Sequence, residues 1–157
     1  MKRVLLTGMS GTGKSSVLAC LAELGYRTVD TDEYDLTTEV RSASGTTERL
    51  WREDRIEEIL SADQGDVIFI SGTCRNQVKF YTWFDHIVLL TAPASVLVER
   101  LTRRTNNPYG KAPEEMAETL RFVETVEPLL RKAATLELDA TASLEAIVEA
   151  ILEHISD

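Results

Sequence analysis

Three things are scarce in this sequence: cysteine, positive charge and long apolar runs. Its two cysteines, Cys20 and Cys74, are far apart and have no metal-ligand spacing, which indicates free thiols in a reducing compartment. The net charge of −9 repels DNA and anionic lipid, so we expect no nucleic-acid or membrane partner. No apolar run reaches membrane-spanning length, and the run after Lys2 and Arg3 is too short for a signal peptide. We therefore expect a cytoplasmic protein.

The composition is that of a folded domain in which short apolar runs alternate with helical patterns. Hydrophobic residues make up 43% and charged residues 27% of the chain, which is near globular averages, and the length suits a single domain over residues 1–157. Strands that alternate with helices predict an α/β domain with a parallel sheet covered on both faces. The five predicted strands are VLL (4–6), YRTV (26–29), VIFI (67–70), HIVLL (86–90) and TLEL (135–138).

Helical patterns occupy the segments between these runs. We predict helices over about 14–24, 46–60 and 94–104, a fourth that begins near Pro113, and a last one, SLEAIVEAILEHI, with Ser143 as its N-cap. The remaining irregular segment, 103–113, is a polar loop with two prolines and a glycine. In a compact domain such a loop is often functional.

The most specific signal is TGMSGTGKSS, residues 7–16, directly after the first predicted strand. Gly8, Gly13, Lys14 and Ser15 fit the pattern G-x-x-x-x-G-K-[ST] at every position. Glycines let backbone N–H groups close around phosphate oxygens, and the helix that begins at Lys14 directs its positive end at the same anion. The lysine supplies charge to the outer phosphates, and the Ser15 hydroxyl suits Mg²⁺. The predicted nucleoside triphosphate site comprises Gly8, Ser10, Gly11, Thr12, Gly13, Lys14, Ser15 and Ser16.

The segment VDTDE (29–33) indicates what the nucleotide is used for. The strands VIFI and IVLL end in Ser71 and Thr91, so neither provides the aspartate with which motors and ATPases of this class hold their metal. The Asn-Lys-x-Asp signature of GTPase switches is missing as well. Asp30 and Asp32 are two residues apart at a strand end, so both carboxylates face the terminal phosphate. One suits Mg²⁺ bound through water and the other a hydroxyl proton; the alternative is an acidic turn.

Three segments in order, GMSGTGKSS, DTD after the second strand and LWRED, resemble the shikimate kinase branch of the small P-loop kinases. Gluconate kinases and nucleoside monophosphate kinases are relatives of that branch, and the resemblance extends over nearly the whole chain. It implies a three-layer P-loop NTPase fold with a five-stranded parallel sheet in the order 2-3-1-4-5. It also implies a short lid at about 103–113, with ATP and Mg²⁺ as cofactors.

The resemblance assigns roles to individual side chains. Asp30 takes the magnesium-side role beside Ser15, and Asp32 takes the acceptor-side role. Arg52 matches the arginine that grips an anionic acceptor. The alternative for Arg52 is an exposed helix pair with Glu48, four residues earlier.

Other positions keep or depart from the family pattern. Gly72 falls in the place of three consecutive glycines that lie against the substrate, and Val126 replaces a second acceptor-binding arginine. Arg75 is a candidate substitute for that arginine, with a plain surface charge as the equally supported alternative. The lid arginines, of which one is expected to contact the phosphates, are Arg100, Arg103 and Arg104.

The leading hypothesis is an ATP-dependent small-molecule kinase that transfers the γ-phosphate to a hydroxyl of an anionic metabolite. A nucleoside or nucleoside monophosphate kinase is one alternative. A nucleotide-binding regulatory ATPase without an acceptor is another, and the missing arginine and altered glycine run favour it. We expect a monomer whose partners are a nucleotide and a small-molecule acceptor.

Overall fold

A computed structural model of the chain describes residues 2–9, 11–32, 35–41, 43, 45, 47–62, 65–103, 117, 120, 121 and 123–156. Its strands are β1 (Lys2–Gly8), β2 (Arg27–Asp30), β3 (Thr37–Arg41), β4 (Thr47–Trp51), β5 (Val67–Ser71), β6 (His86–Thr91) and β7 (Leu136–Asp139). We label its helices α1 (Lys14–Glu23), α2 (Glu53–Ser61), a 3₁₀ helix (Arg75–Trp83), α3 (Ala94–Arg103), α4 (Glu127–Ala133) and α5 (Leu144–Ser156).

Five of the strands form one parallel sheet in the order β2-β5-β1-β6-β7. The five apolar runs predicted as strands all lie in this sheet, and counted among themselves they have the expected order 2-3-1-4-5. On β1, Val4 and Leu6 pack with α1 and α5 on one face, whereas Leu5 packs with α2 on the other. This alternation makes three layers, and the parallel direction brings the carboxyl ends of β1, β2 and β5 to one edge.

The helices at the two ends of the chain follow the predicted patterns. α1 and α5 contact each other over one face of the sheet. The predicted N-cap of α5 is confirmed, because Ser143 Oγ accepts a hydrogen bond from the Ala146 N–H at 3.2 Å. The start of the helix predicted from Pro113 lies outside the described residues. No helix in the described ranges is long and apolar enough to cross a membrane.

The helix predicted over 46–60 is wrong in its first half. β3 and β4 form an antiparallel hairpin in which Thr37 is opposite Trp51, and α2 begins only at Glu53. The Trp51 side chain is 1% exposed and packs against Phe80, with ring centroids 6.0 Å apart. Burial of this large side chain by distant residues outweighs the local helical pattern, which carries a weaker preference.

Trp51 anchors the hairpin to the carboxyl end of the sheet. Its indole Nε1 donates a hydrogen bond to Thr31 Oγ1 at 3.1 Å. The Asn76 side chain accepts from the Trp51 N–H and donates to the Trp51 carbonyl, each at 2.9 Å. Gly72 lies against the same indole, where a Cβ would be 2.3 Å from Thr31 Oγ1 and 2.9 Å from Trp51 Nε1. The hairpin therefore depends on a glycine directly after β5.

We expect Gly72→Ala to destabilise the domain by about 1–3 kcal/mol, because the added methyl group has no room between Thr31 and Trp51. Gly72 is not among the glycines with positive φ, so the same change without a clash would stabilise the fold. Urea unfolding measures the difference. The loss should be smaller in a Thr31→Ala background, which lacks the nearest atom; an unchanged unfolding midpoint for Gly72→Ala contradicts this packing.

Candidate functional site

The phosphate loop connects β1 to α1 with a backbone that requires its glycines. Gly8 has φ 151°, and Gly11 and Gly13 both have φ 91°, values that other residues rarely adopt. A Cβ at Gly8 would lie 2.5 Å from the Leu90 carbonyl oxygen in β6. Of the other predicted loop residues, Thr12 is buried, Ser15 and Ser16 are exposed in the first turn of α1, and Ser10 lies outside the described residues.

The Lys14 side chain folds back over the loop. Its Nζ donates to the carbonyl oxygens of Gly8 at 2.5 Å and Met9 at 3.2 Å. Thr73 Oγ1, just beyond β5, donates to the same Gly8 carbonyl at 2.6 Å and ties the loop to its neighbouring strand. An ammonium group, backbone N–H groups and the start of a ten-residue helix converge here, an arrangement that binds phosphate.

Ser15 and Asp30 bring two oxygen ligands together from different elements. Ser15 Oγ in α1 donates to Asp30 Oδ2 at the end of β2, at 3.2 Å, and Asp30 Oδ1 accepts from the Asp32 N–H at 3.0 Å. A hydroxyl and a carboxylate oxygen suit Mg²⁺, which is commonly held by one or two protein oxygens together with phosphates and water. Within the described ranges no group of three or more His, Cys, Asp or Glu side chains forms a metal site. The donor pair therefore fits a nucleotide-bound Mg²⁺.

The Asp32 carboxylate has an ion-pair partner that the sequence analysis missed. Arg49 Nη1, in β4, lies 3.6 Å from Asp32 Oδ1, and the two side chains are 56% and 60% exposed. Arg49 is two residues before Trp51, so both side chains point to the same face of the strand. Had residues 47–51 been predicted as a strand, its alternation would have placed Arg49 on the same face as Trp51 and so pointed to Arg49.

Arg52 and Arg75 have different partners from those expected. Arg52 directly precedes α2 and donates from Nη1 to Asp35 Oδ2 at 2.7 Å and to the Asp35 carbonyl at 3.3 Å. Glu48 pairs with Arg75 instead, at 2.9 Å. The helix pair of Glu48 and Arg52 is therefore wrong, because Glu48 lies in a strand. Contact of Arg52, Arg75 or Gly72 with an acceptor stays a prediction.

The predicted lid arginines lie at different distances from the phosphate loop. Arg100 donates from Nη1 to the Gly11 carbonyl at 3.2 Å and from Nη2 to the Ala140 carbonyl at 2.7 Å, so it joins the loop to the turn after β7. Arg103 pairs with Glu99 on its own helix at 3.0 Å and is exposed. Arg104 and most of the predicted lid, 104–113, lie outside the described residues.

Cys74 is half-buried and directly precedes the 3₁₀ helix. Burial raises the pKa of its thiol from 9.0 to about 12, and the negative charge of Asp32 adds to the rise, whereas Arg49 and Lys14 oppose it. The thiol is therefore neutral at physiological pH, and Cys74 acts as a small, weakly polar side chain.

We expect Cys74 to resist alkylation in the folded protein. With a pKa of about 12 the thiolate, which is the reactive form, is a negligible fraction at pH 8. Iodoacetamide at pH 8 followed by peptide mass spectrometry measures this. The same protein in guanidinium is the control, since unfolding returns the pKa towards 9.0 and exposes the sulfur. Rapid labelling of Cys74 in the native protein would contradict its burial.

Similar proteins combine this phosphate loop with this sheet. The AAA domain family matches residues 4–121. Shikimate kinase 2 of Yersinia enterocolitica is 28% identical over 98% of this chain and 95% of its own length. A nucleotide-binding protein of Neisseria meningitidis is 31% identical over 77% of this chain, which spans only 42% of that protein. The structure of shikimate kinase from Acinetobacter baumannii in complex with shikimate has a TM-score of 0.68 and 19% identity, covering 99% of this chain and 93% of that one.

These matches agree with the geometry on two points. The family match includes the phosphate loop, Asp30 and the hairpin, and so extends over most of the chain. The structural match includes the whole parallel sheet in the order β2-β5-β1-β6-β7. The chain therefore belongs to the AAA domain family of P-loop proteins, and its sequence and fold resemble those of the shikimate kinase-like small P-loop kinases.

Proposed function

We propose that the protein is an ATP-dependent kinase that transfers the γ-phosphate to a hydroxyl group of a small anionic metabolite. The observation that carries this proposal is the convergence of three groups at the edge of the sheet. The phosphate loop holds Lys14, Ser15 of the same loop hydrogen-bonds Asp30, and Asp32 follows two residues later. Phosphate, metal and acceptor groups are thereby adjacent, which is what phosphoryl transfer requires.

On the nucleotide side, the chain's role is to hold charge in place. The loop N–H groups and the start of α1 bind the phosphate chain, and the Lys14 ammonium neutralises its outer oxygens. Ser15 would hold Mg²⁺ directly and Asp30 through water. When bound, this ion neutralises the charge that develops on the phosphates.

On the acceptor side, Asp32 orients the hydroxyl and accepts its proton. The hydroxyl oxygen forms a bond to the γ-phosphorus, the bond from that phosphorus to the β–γ bridging oxygen breaks, and ADP leaves. Asp32 is exposed, its backbone N–H donates to Asp30 Oδ1, and its carboxylate lies 3.6 Å from Arg49 Nη1. The proton that it takes is later released to solvent.

The lid residues complete the proposal. In this proposal Arg100 contacts the nucleotide; its Nη1, 4.0 Å from where a Cβ at Gly13 would stand, supports this role. Arg103 and Arg104 would close over the transferring phosphate. In this proposal the chain is a single kinase domain that acts as a cytoplasmic monomer.

Two relatives support different versions of the proposal. Similarity to a shikimate kinase over nearly the full length of both chains supports phosphotransfer to a hydroxyl. Similarity to a nucleotide-binding protein, together with Val126 in place of an acceptor arginine, supports a regulatory protein without an acceptor.

The first experiment is to measure ADP release from Mg·ATP with and without a pool of cellular metabolites. Strong stimulation supports the kinase, and tight ATP binding without stimulation supports the regulatory alternative.

Asp32→Asn should leave ATP binding within about twofold and lower acceptor-stimulated ADP release by about 100-fold or more, because the amide does not accept the proton. Asp66→Asn is the matched control, since Asp66 is exposed and lies at the opposite end of the sheet, before β5. Calorimetric ATP titrations and a coupled ADP assay provide the two readouts. Full activity of Asp32→Asn removes it from the mechanism.

Asp30→Asn should weaken Mg²⁺ binding to the nucleotide complex by about 10–100-fold, because a carboxylate that holds the ion through water is lost. Titrating Mn²⁺ into the ADP complex and following its paramagnetic resonance signal measures binding without turnover. Asp66→Asn again provides the control. Equal metal affinity in both variants would show that Asp30 does not hold the ion.

A further inference from the structure

We propose that Arg49, on the β3–β4 hairpin, is the main residue that binds the anionic group of the acceptor, and that the acceptor is compact. This proposal rests on the proposed kinase function and specifies its substrate class. The acceptor would be a small hydroxylated carboxylate or phosphate ester whose anionic group lies within a few bonds of the reacting hydroxyl. The carrying observation is the approach of Arg49 Nη1 to Asp32 Oδ1, at 3.6 Å.

Arg52, the arginine expected for this role, is committed to the structure of the turn before the hairpin. Its guanidinium contacts both the carboxylate and the carbonyl of Asp35. Asp35 has φ 57°, the left-handed region that costs free energy outside glycine. The Arg52 N–H also donates to the Leu36 carbonyl at 2.8 Å. Arg52 therefore contacts the turn through its guanidinium and its backbone, and a ligand anion would compete with Asp35 for Nη1.

Arg49 is held by a weaker contact than Arg52. Its contact with Asp32 is longer than a hydrogen bond, and both side chains are more than half exposed. Exposed ion pairs of this kind contribute little to stability. An anionic ligand can therefore take the Arg49 guanidinium at small cost, and Asp32 then becomes available to a hydroxyl of the same ligand.

The hairpin holds Arg49 in register with the reacting groups. Trp51, two residues along the same face, is fixed by Thr31 and Asn76. Thr31 lies between Asp30 and Asp32, so the anchor of the hairpin and the reacting carboxylates share one short segment.

The short distance from Arg49 to Asp32 restricts the ligand. When the two hydrogen bonds run roughly parallel, the hydroxyl bonded to Asp32 and the anionic oxygen bonded to Arg49 lie about 3–6 Å apart, since the two protein atoms are 3.6 Å apart. Compounds with two to four bonds between these groups meet this condition. Long ω-hydroxy acids and neutral polyols do not.

The test compares glycerate, glycerol 3-phosphate, shikimate and gluconate with neutral glycerol and with 6-hydroxyhexanoate. Calorimetric binding to the protein saturated with Mg·ADP and ADP release from Mg·ATP are measured in parallel. We expect at least one compact anion to bind at least tenfold more tightly than glycerol and 6-hydroxyhexanoate. Arg49→Gln should remove this preference, by raising the Kd and KM of the anion about tenfold or more, and leave ATP binding unchanged.

Arg41→Gln is the matched control, because Arg41 is exposed at the far end of the same hairpin and is not part of the site. Arg52→Gln should lower the unfolding midpoint, because the contacts with Asp35 are lost. It should weaken anion binding less than Arg49→Gln does. Equal anion affinity in Arg49→Gln and Arg41→Gln, or no compact anion bound by the unaltered protein, overturns the proposal. Anion binding that depends on Arg49 without any ADP release would instead contradict the kinase function and leave the role of Arg49 intact.

Discussion

The hydrogen bond from the Ser15 hydroxyl to the Asp30 carboxylate joins the two halves of the candidate site. Ser15 belongs to the helix that follows β1, and Asp30 is the last residue of β2, with β5 lying between those strands. The bond is possible because parallel strands end at the same edge of the sheet. The alignment brings the phosphate loop and the Asp30–Asp32 segment to the same edge of the sheet.

The β3–β4 hairpin is positioned differently from the phosphate loop. The loop takes its shape from consecutive residues, above all Gly8, whose close approach to the Leu90 carbonyl excludes any side chain. The hairpin takes its position from contacts distant in sequence, in which Trp51 meets Thr31, Gly72 and Asn76. A phosphate loop formed by consecutive residues is thus combined with a hairpin whose position depends on tertiary packing.

Charge is distributed unevenly in this acidic protein. With a net charge of −9, most of its surface repels anions, yet arginines are concentrated where an anionic acceptor would enter. Each of these arginines faces a carboxylate: Arg49 faces Asp32, Arg52 faces Asp35 and Arg75 faces Glu48. The three ion pairs differ in their nitrogen–oxygen distance and in the other contacts of each arginine. The availability of an arginine to a ligand therefore depends on the geometry of its pair and not on the number of arginines.

The sequence by itself determined the sheet and the phosphate loop. The five apolar runs became the five parallel strands, and the glycines at 8, 11 and 13 have the backbone that the loop pattern predicts, because short apolar runs and glycine act through local conformation and burial. Tertiary structure alone decided the hairpin at 37–51, where the burial of Trp51 overrode a helical pattern. It also decided the partners of Glu48, Arg49 and Arg52, since an ion pair between distant residues depends on how the chain folds back and not on sequence spacing.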